Sequence, residues 1–218
     1  MKLNYLKATF VSTALLITGF VNVANAGLIT TIDAGATNHI IVSSGSIGDG
    51  TISESGITLS ATADTHYGYD DRWGLDDNGA WNNMNLIGLA ATTGSFSITF
   101  DTLVSKVLAF VSYASSSRSP YPQASIGIYD INDVLLETTH LNGIQDITTL
   151  NQGWDIGFAR TTAEIKTITF FNSFIVANNL RSVADAAVPS VDVPEPSTLA
   201  VFVLGMIGLA SRRFNKKS

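Results

Sequence analysis

The 218-residue chain contains no cysteine at all. This absence excludes disulfides, thiolate catalysis and cysteine-ligated zinc or iron–sulfur sites. Basic residues are also scarce in its centre, because residues 27–188 hold six Lys and Arg against sixteen Asp and Glu, a net charge of −10. Such a surface repels phosphate backbones, so nucleic acid is not expected as a partner. A hydrophobic core alone must hold this fold together.

Catalytic motifs are missing as well. The three histidines, His39, His66 and His140, are far apart and show no ligand spacing such as H-E-x-x-H. No G-x-S-x-G nucleophile elbow occurs. Sixteen acidic residues will bring some pair together by chance, so a glycosidase-type carboxylate pair is not indicated. We therefore expect a protein that is not an enzyme; a secreted hydrolase acting on polysaccharide is the alternative.

The N-terminus carries the features of an export signal. Lys2 and Lys7 precede an apolar stretch from Phe10 to Val23, and Ala24-Asn25-Ala26 provides a small-x-small cleavage pattern. This order predicts a secretory signal peptide over residues 1–26 and a mature chain that starts at Gly27.

The C-terminus has three parts in a specific order: a proline-rich motif, an apolar run and a basic tail. The motif is Val193-Pro194-Glu195-Pro196, the uncharged run is Leu199 to Ala210, and the tail contains Arg212, Arg213, Lys216 and Lys217. The prolines favour an extended backbone that an enzyme can grip. The apolar run is shorter than the roughly 20 residues of a comfortable span, which suits a temporary anchor. The basic tail is expected to stay in the cytoplasm.

This arrangement closely resembles the PEP-CTERM signal of Gram-negative bacteria, which is presented to an exosortase. The resemblance implies cleavage at the membrane, an inner-membrane intermediate, and then a cell-surface or extracellular protein linked to exopolysaccharide or biofilm. We divide the chain into a signal peptide (1–26), a β-sandwich domain (27–182), a linker (183–193) and a sorting signal (194–218). Within the sorting signal we expect a short membrane helix at about 197–211 and a basic tail at 212–218.

The central domain shows a period of two. Phe96, Ile98 and Phe100 share one face of a stretch that alternates cleanly, and 104–113 is mostly apolar, as in a central strand with Phe110 in the sandwich centre. Stretches 125–129 and 134–141 flank a turn signal and predict a hairpin. Further strands are expected at 28–32, 39–42, 56–61 and 154–158, and the stretches 164–171 and 174–183 are expected to form a last pair around a turn at Asn172-Ser173. This pattern predicts an all-β fold, an antiparallel β-sandwich of jelly-roll type.

The order of stretches 96–107, 125–137 and 165–170 resembles the exported jelly-roll domains of PEP-CTERM proteins, which are similar to carbohydrate-binding modules. In those domains the closing strand often carries an acidic pair before a leucine. Here the corresponding residues are Asn178 and Asn179, so the resemblance does not carry a calcium-ligand role to this strand.

Residues 62–83 form the exception to the strand pattern and are expected to be a long loop. Long loops in compact domains tend to be functional. Aromatic rings and carboxylates suit sugar binding, and carboxylates suit calcium; the third alternative is a plain closing loop with buried aromatics. The candidate glycan contacts are Tyr67, Tyr69, Trp73 and Trp81, and the candidate calcium ligands are Asp64, Asp70, Asp71, Asp76 and Asp77.

Two main functions remain open at this stage. A glycan-binding module would expose an aromatic platform beside carboxylates, whereas a structural matrix protein would bury those rings. A binder of ice or mineral surfaces is a more distant alternative, with only Thr30-Thr31 and Thr148-Thr149 to hint at a flat threonine array. Apart from calcium, no cofactor is expected.

The sorting signal predicts how the mature chain ends. Mass spectrometry of the protein secreted by its native cells should find the C-terminus near Val193 to Ser197, because exosortase cleavage removes the anchor. Recovery of chains that still end at Ser218 from the outside of wild-type cells would contradict the prediction.

Overall fold

The computed structural model describes residues 27–69, 78–81, 83–114, 121–141 and 152–184, and these form two antiparallel sheets. The predicted all-β antiparallel sandwich is confirmed. The strands are β1 (Gly27–Ile29), β2 (Thr37–Asn38), β3 (Gly45–Ile47), β4 (Gly50–Glu54), β5 (Ile57–Ala61), β6 (Thr65–Gly68), β7 (Leu86–Leu89), β8 (Ser95–Val104), β9 (Lys106–Ser112), β10 (Ser125–Tyr129), β11 (Leu135–His140), β12 (Trp154–Ala159), β13 (Ile165–Phe171) and β14 (Val176–Val183).

Both terminal signals lie outside the described residues, including the predicted helix at 197–211. Within the described ranges no helix is long and apolar enough to cross a membrane. The domain boundary predicted at residue 182 falls one residue before β14 ends at Val183.

The first sheet has the strand order β1-β12-β9-β14-β7-β6-β3, and β2 also pairs with β14. The second sheet has the order β11-β10-β13-β8-β5-β4. Alternation along β8 turns Phe96, Ile98 and Phe100 inward, where each is at most 1% exposed. The residues between them face outward, and Ser97 and Thr99 pair through their hydroxyls with threonines of β13. Along β8 one face is therefore apolar and the other is polar.

A single large core joins the two sheets. Phe96 and Phe170 stack across neighbouring strands with ring centroids 4.8 Å apart, and Phe158 from the opposite sheet is fully buried in the same core. Residues from both sheets contribute to this cluster, so the sandwich is held by side-chain burial between its faces.

The central strand β9 lies between β12 and β14, as its apolar sequence predicts. Val107, Ala109 and Val111 enter the main core. Phe110 points to the other face, where it is half-buried against a smaller cluster that contains Trp81 and Phe174. The expectation that Phe110 lies in the sandwich centre is therefore wrong, because alternation along β9 assigns that face to its neighbours.

Three other expectations need correction. The strand expected at 39–42 is not formed, since β2 ends at Asn38. Residues 62–83 are not one continuous loop, since they include β6, which pairs with β3 and β7. The stretches 164–171 and 174–183 do not form a hairpin, because β13 and β14 belong to different sheets. Asn172, Ser173 and Phe174 all have positive φ angles in the connection between them.

The predicted hairpin of β10 and β11 is confirmed. Its turn is closed by Asp130, whose Oδ1 accepts the backbone N–H groups of Asn132 and Val134, both at 2.8 Å. These hydrogen bonds, with that of Val134 foremost, hold the pKa of Asp130 below its ordinary value. The turn sequence therefore works as an Asx turn, for which aspartate is a favoured residue.

The different positions of Phe100, in the main core, and Phe110, on the outer face of the first sheet, predict different losses of unfolding free energy on substitution. Phe100→Ala should lower the free energy of unfolding by about 3–5 kcal/mol, because it leaves a cavity in the main core. Phe110→Ala should cost only about 1–2 kcal/mol, since part of its ring is already in water. Urea unfolding of residues 27–188 measures both, and equal losses would contradict the assignment of faces.

Candidate functional site

The pairing of β14 with its neighbouring strands is interrupted in the middle of the strand. On one side β14 pairs with β9, and the register shifts between Asn178 and Arg181. On the other side it pairs with β7 before this break and with β2 after it. Asn179 lies at the break with a φ of 50°, a left-handed backbone that asparagine adopts more readily than most residues. A surface cleft opens where the partner strand changes.

This cleft has a volume of about 290 Å³. Of the described residues, nine line the cleft; none of these carries a carboxylate, an ammonium or a guanidinium group, and five of them are asparagines. The lining residues are Asn38, His39, Ile40, Tyr69, Asn83, Met84, Asn85, Asn178 and Asn179. The described lining is thus rich in amides.

The five asparagines are not equivalent. Asn83 and Asn179 have positive φ angles, so their backbone conformation alone explains the residue type. Asn38 and Asn178 lie in strands and have no such explanation. Asn178 is only 6% exposed, and its Nδ2 lies 3.8 Å from the sulfur of Met84. These amides offer donors and acceptors at the cleft surface.

The fifth asparagine, Asn85, fixes one wall of the cleft. Its Oδ1 accepts the N–H of Ile41 at 3.2 Å, and its Nδ2 donates to the carbonyl of Ile41 at 2.6 Å. Ser55 Oγ donates to the carbonyl of Ile40. The Glu54 carboxylate accepts hydrogen bonds from the hydroxyl of Ser43 and the N–H of Val42, and these bonds hold its pKa below the ordinary value. The segment after β2 is therefore held in place along its length.

His39 also holds this wall of the cleft in place. It is 9% exposed, and its Nδ1 lies 3.0 Å from the carbonyl oxygen of Ser55, so this nitrogen carries the proton. Its Nε2 lies 2.8 Å from Ser182 Oγ, and its ring packs against Phe100 with centroids 5.4 Å apart. Both ring nitrogens are thus engaged, and the side chain joins the two sheets.

The structure separates the four aromatic residues predicted as glycan contacts. Tyr69 is 51% exposed and lines the cleft. Tyr67 lies in β6, packs partly against the main core and covers Gly45, where a Cβ would lie 2.9 Å from its hydroxyl. Trp81 is 1% exposed in the smaller cluster, so its assignment to an exposed platform is wrong. Trp73 lies outside the described residues.

Of the candidate calcium ligands, the structure describes only Asp64. Asp64 is exposed, and its Oδ2 lies 3.6 Å from Nε2 of His66. Asp70, Asp71, Asp76 and Asp77 lie outside the described residues. The part of the chain that is described holds no group of three or more His, Asp or Glu that could bind a metal ion. The calcium site stays a prediction.

Sequence reasoning missed most of the cleft. The amide pair of β14 stands out in the sequence only as a departure from an acidic pattern, Asn83 falls at the end of the stretch expected to be a loop, and Asn85 belongs to no predicted element. Asn38 is a single residue in a two-residue strand with no local signal. The cleft is formed by residues more than one hundred positions apart, which only the strand pairing brings together.

A protein-family profile described as the PEP-CTERM protein-sorting motif matches residues 192–213. The chain carries a PEP-CTERM sorting motif. The match includes the motif from Val193 to Pro196 and confirms the predicted sorting signal. A PEP-CTERM motif implies processing by an exosortase at the membrane, and it points to a secreted or cell-surface protein.

Comparison with solved structures gives distant likenesses to carbohydrate-binding modules. A Streptococcus pneumoniae fucose binding module is 13% identical, with a TM-score of 0.30 and coverage of 45% of this chain and 72% of that one. A mutant of the lectin binding domain of Lectinolysin, complexed with Lewis b, is 10% identical, with a TM-score of 0.29 and coverage of 75% and 93%. The family 11 carbohydrate-binding module of a Clostridium thermocellum cellulase is 11% identical, with a TM-score of 0.14 and coverage of 66% and 96%.

At these TM-scores the likenesses carry no argument about a ligand. Comparison with curated proteins gives no match. Any binding function must therefore be argued from the cleft itself.

The clamp by Asn85 predicts a measurable contribution to stability. Asn85→Ala should lower the free energy of unfolding of residues 27–188 by about 1–3 kcal/mol, because it leaves the backbone polar groups of buried Ile41 without partners. Asn83→Gly is the matched control: Asn83 is exposed, and glycine keeps its left-handed backbone. Equal effects of the two substitutions in urea unfolding would contradict the clamp.

Proposed function

We propose that this protein is an exported, non-catalytic glycan-binding protein of the cell surface or extracellular matrix, and that the cleft at the break in β14 is its binding site. The observation that carries the proposal is the composition of the cleft: an exposed tyrosine beside five asparagine amides, with no Asp, Glu, Lys or Arg among the described lining residues.

This composition suits a sugar in two ways. Each sugar hydroxyl both donates and accepts a hydrogen bond, and each asparagine amide does the same with two donors and one acceptor oxygen. The face of the Tyr69 ring can pack against the apolar C–H surface of a sugar ring. The volume of about 290 Å³ lies close to the lower end of small-ligand sites, about 300 Å³. A short stretch of a glycan chain fits these dimensions better than a large cofactor.

The charge balance favours a neutral glycan. The described lining residues include no Lys or Arg that could pair with a uronate or sulfate group, and the net charge of −10 over residues 27–188 repels anionic polymers at long range. We therefore propose uncharged polysaccharide of the surrounding matrix as the ligand class.

Binding without catalysis is supported by the same residues. The described lining contains no carboxylate, and both nitrogens of its histidine, His39, are held by Ser55 and Ser182. General acid–base chemistry needs a group that is free to exchange a proton with the substrate. The proposed role is therefore retention in, or attachment to, the matrix after exosortase processing at the membrane.

Affinity electrophoresis and calorimetry of residues 27–188 test this proposal with a neutral glucan, a neutral mannan and the uronate polymer alginate. Tyr69→Ala should weaken binding of the retained neutral polymer at least tenfold, and Tyr69→Phe should preserve it, because stacking needs the ring and not the hydroxyl. Asn179→Gly should also weaken binding, since glycine keeps the left-handed backbone but removes the amide.

Asp133→Gly is the matched control, because Asp133 has a φ of 59° and lies in the β10–β11 turn, away from the cleft. It should leave binding unchanged. Failure of the wild-type domain to bind any of these polymers and a wider panel of neutral glycans would favour the structural alternative, a matrix protein without a ligand. Preference for alginate would contradict the neutral ligand class.

A further inference from the structure

The tip of the β10–β11 hairpin exposes an unusual group of apolar side chains. Ile131 is 63% exposed, Val134 is 56% exposed and Leu135 is 48% exposed, and all three lie within five residues of chain. Single exposed apolar residues are normal on protein surfaces, whereas larger exposed apolar patches mark sites of interaction with proteins or membranes. This group, Ile131, Val134 and Leu135, is called the apolar tip below.

Strand pairing places the apolar tip at the same end of the sandwich as the exit of the chain. β10 ends at Tyr129, which pairs with Thr167 near the start of β13. β13 begins beside the end of β8, and β8 continues through Ser105 into the start of β9. The start of β9 pairs with Val183, the last residue of β14. The chain therefore leaves the sandwich toward its sorting motif at the end that carries the apolar tip.

The distance to the membrane segment is limited by chain length. Fourteen residues, 185–198, separate Ala184 from the uncharged run that starts at Leu199. Even fully extended, they reach at most about 50 Å at roughly 3.5 Å per residue. Before cleavage, such a tether keeps the domain close to the bilayer at a high effective concentration, so a weak contact is enough to orient it.

The charges near this end do not offer attraction to anionic lipid. Asp130 and Asp133 lie in the turn itself. Among the described residues near this end, Lys106 is paired with Asp33 and Arg160 with Glu164, and Lys166 Nζ donates to the backbone carbonyls of Phe100 and Asp101. A contact at this end must therefore come from the apolar side chains.

From these observations we propose that the apolar tip rests in the interface of the bilayer while the unprocessed chain is held by its C-terminal segment. The bilayer is the occupant that the exit point and tether length select. This contact turns the exit end of the sandwich toward the membrane and presents the residues before the apolar run to a membrane enzyme. The inference does not depend on the proposed glycan function, because it concerns other residues and an earlier stage.

The absence of cysteine makes a direct test feasible. Ile131→Cys, Val134→Cys and Thr93→Cys each allow one fluorescent probe to be attached to residues 27–218, the chain without its predicted signal peptide, which is reconstituted through its C-terminal segment in phosphatidylcholine vesicles. Thr93 is the control, since it is exposed and lies before β8, at the opposite end of the sandwich from Val104. Circular dichroism checks that each labelled chain is folded.

A lipid-borne quencher should reduce the emission of probes at positions 131 and 134 several-fold more than that of the probe at 93, and iodide in the water phase should show the reverse order. Replacing half of the lipid by phosphatidylglycerol should weaken lipid quenching at 131. Equal quenching at all three positions would overturn the proposal. Protection of the probe at 131 from iodide that grows with protein density in the vesicle would also overturn it, because a second copy would then cover the apolar tip. Stronger lipid quenching at 131 in the vesicles with phosphatidylglycerol would overturn it as well, because the attraction would then be electrostatic.

Discussion

The break in β14 between Asn178 and Arg181 is the constraint on which the candidate site depends. A regular strand in this position would pair with one neighbour on each side and leave no opening. Here the partner strand on one edge of β14 changes from β7 to β2. Asn179, whose backbone is left-handed, lies where the register changes. The residue type, the bulge and the cleft are thus three consequences of the same local geometry, as is common where bulges lie beside functional sites.

The surrounding structure keeps this opening in shape without any covalent link. The core is built from side chains of both sheets, with Phe96 stacked on Phe170 at its centre. His39 connects the sheets near the cleft, because it contacts Ser55 in the turn between β4 and β5 and Ser182 in β14. The cleft wall is therefore ordered before any ligand arrives, which reduces the entropy lost on binding.

The sequence made the core strands and the sorting signal predictable, for different physical reasons. Alternation of Phe96, Ile98 and Phe100 follows directly from the pleat of a strand, and the tripartite tail depends only on local order. The face of Phe110 was not predictable, because β9 is apolar on both sides and buries its second face against Trp81. The same cluster accounts for the error at Trp81, whose neighbours in sequence suggested an exposed loop. Short strands such as β6 contain too few residues for the alternation of apolar and polar side chains to be recognised in the sequence.

The site itself depends on pairing between distant strands, so sequence alone placed only Tyr69 among its candidates. Asn38 and Asn178 become neighbours through the pairing of β2 and β14, which no local pattern records. The sorting motif, by contrast, points to a secreted or cell-surface protein and says nothing about what the domain binds. Delivery and binding therefore depend on different parts of the chain.

The central claim is that the opening beside the break in β14 is a sugar site. A nuclear magnetic resonance titration of the isotope-labelled domain, residues 27–188, with a neutral oligosaccharide tests it most directly. The account predicts that the largest changes in chemical shift fall on the backbone and side-chain amides of Asn38, Asn178 and Asn179. Saturable changes centred on another face, with these amides unmoved, would contradict it.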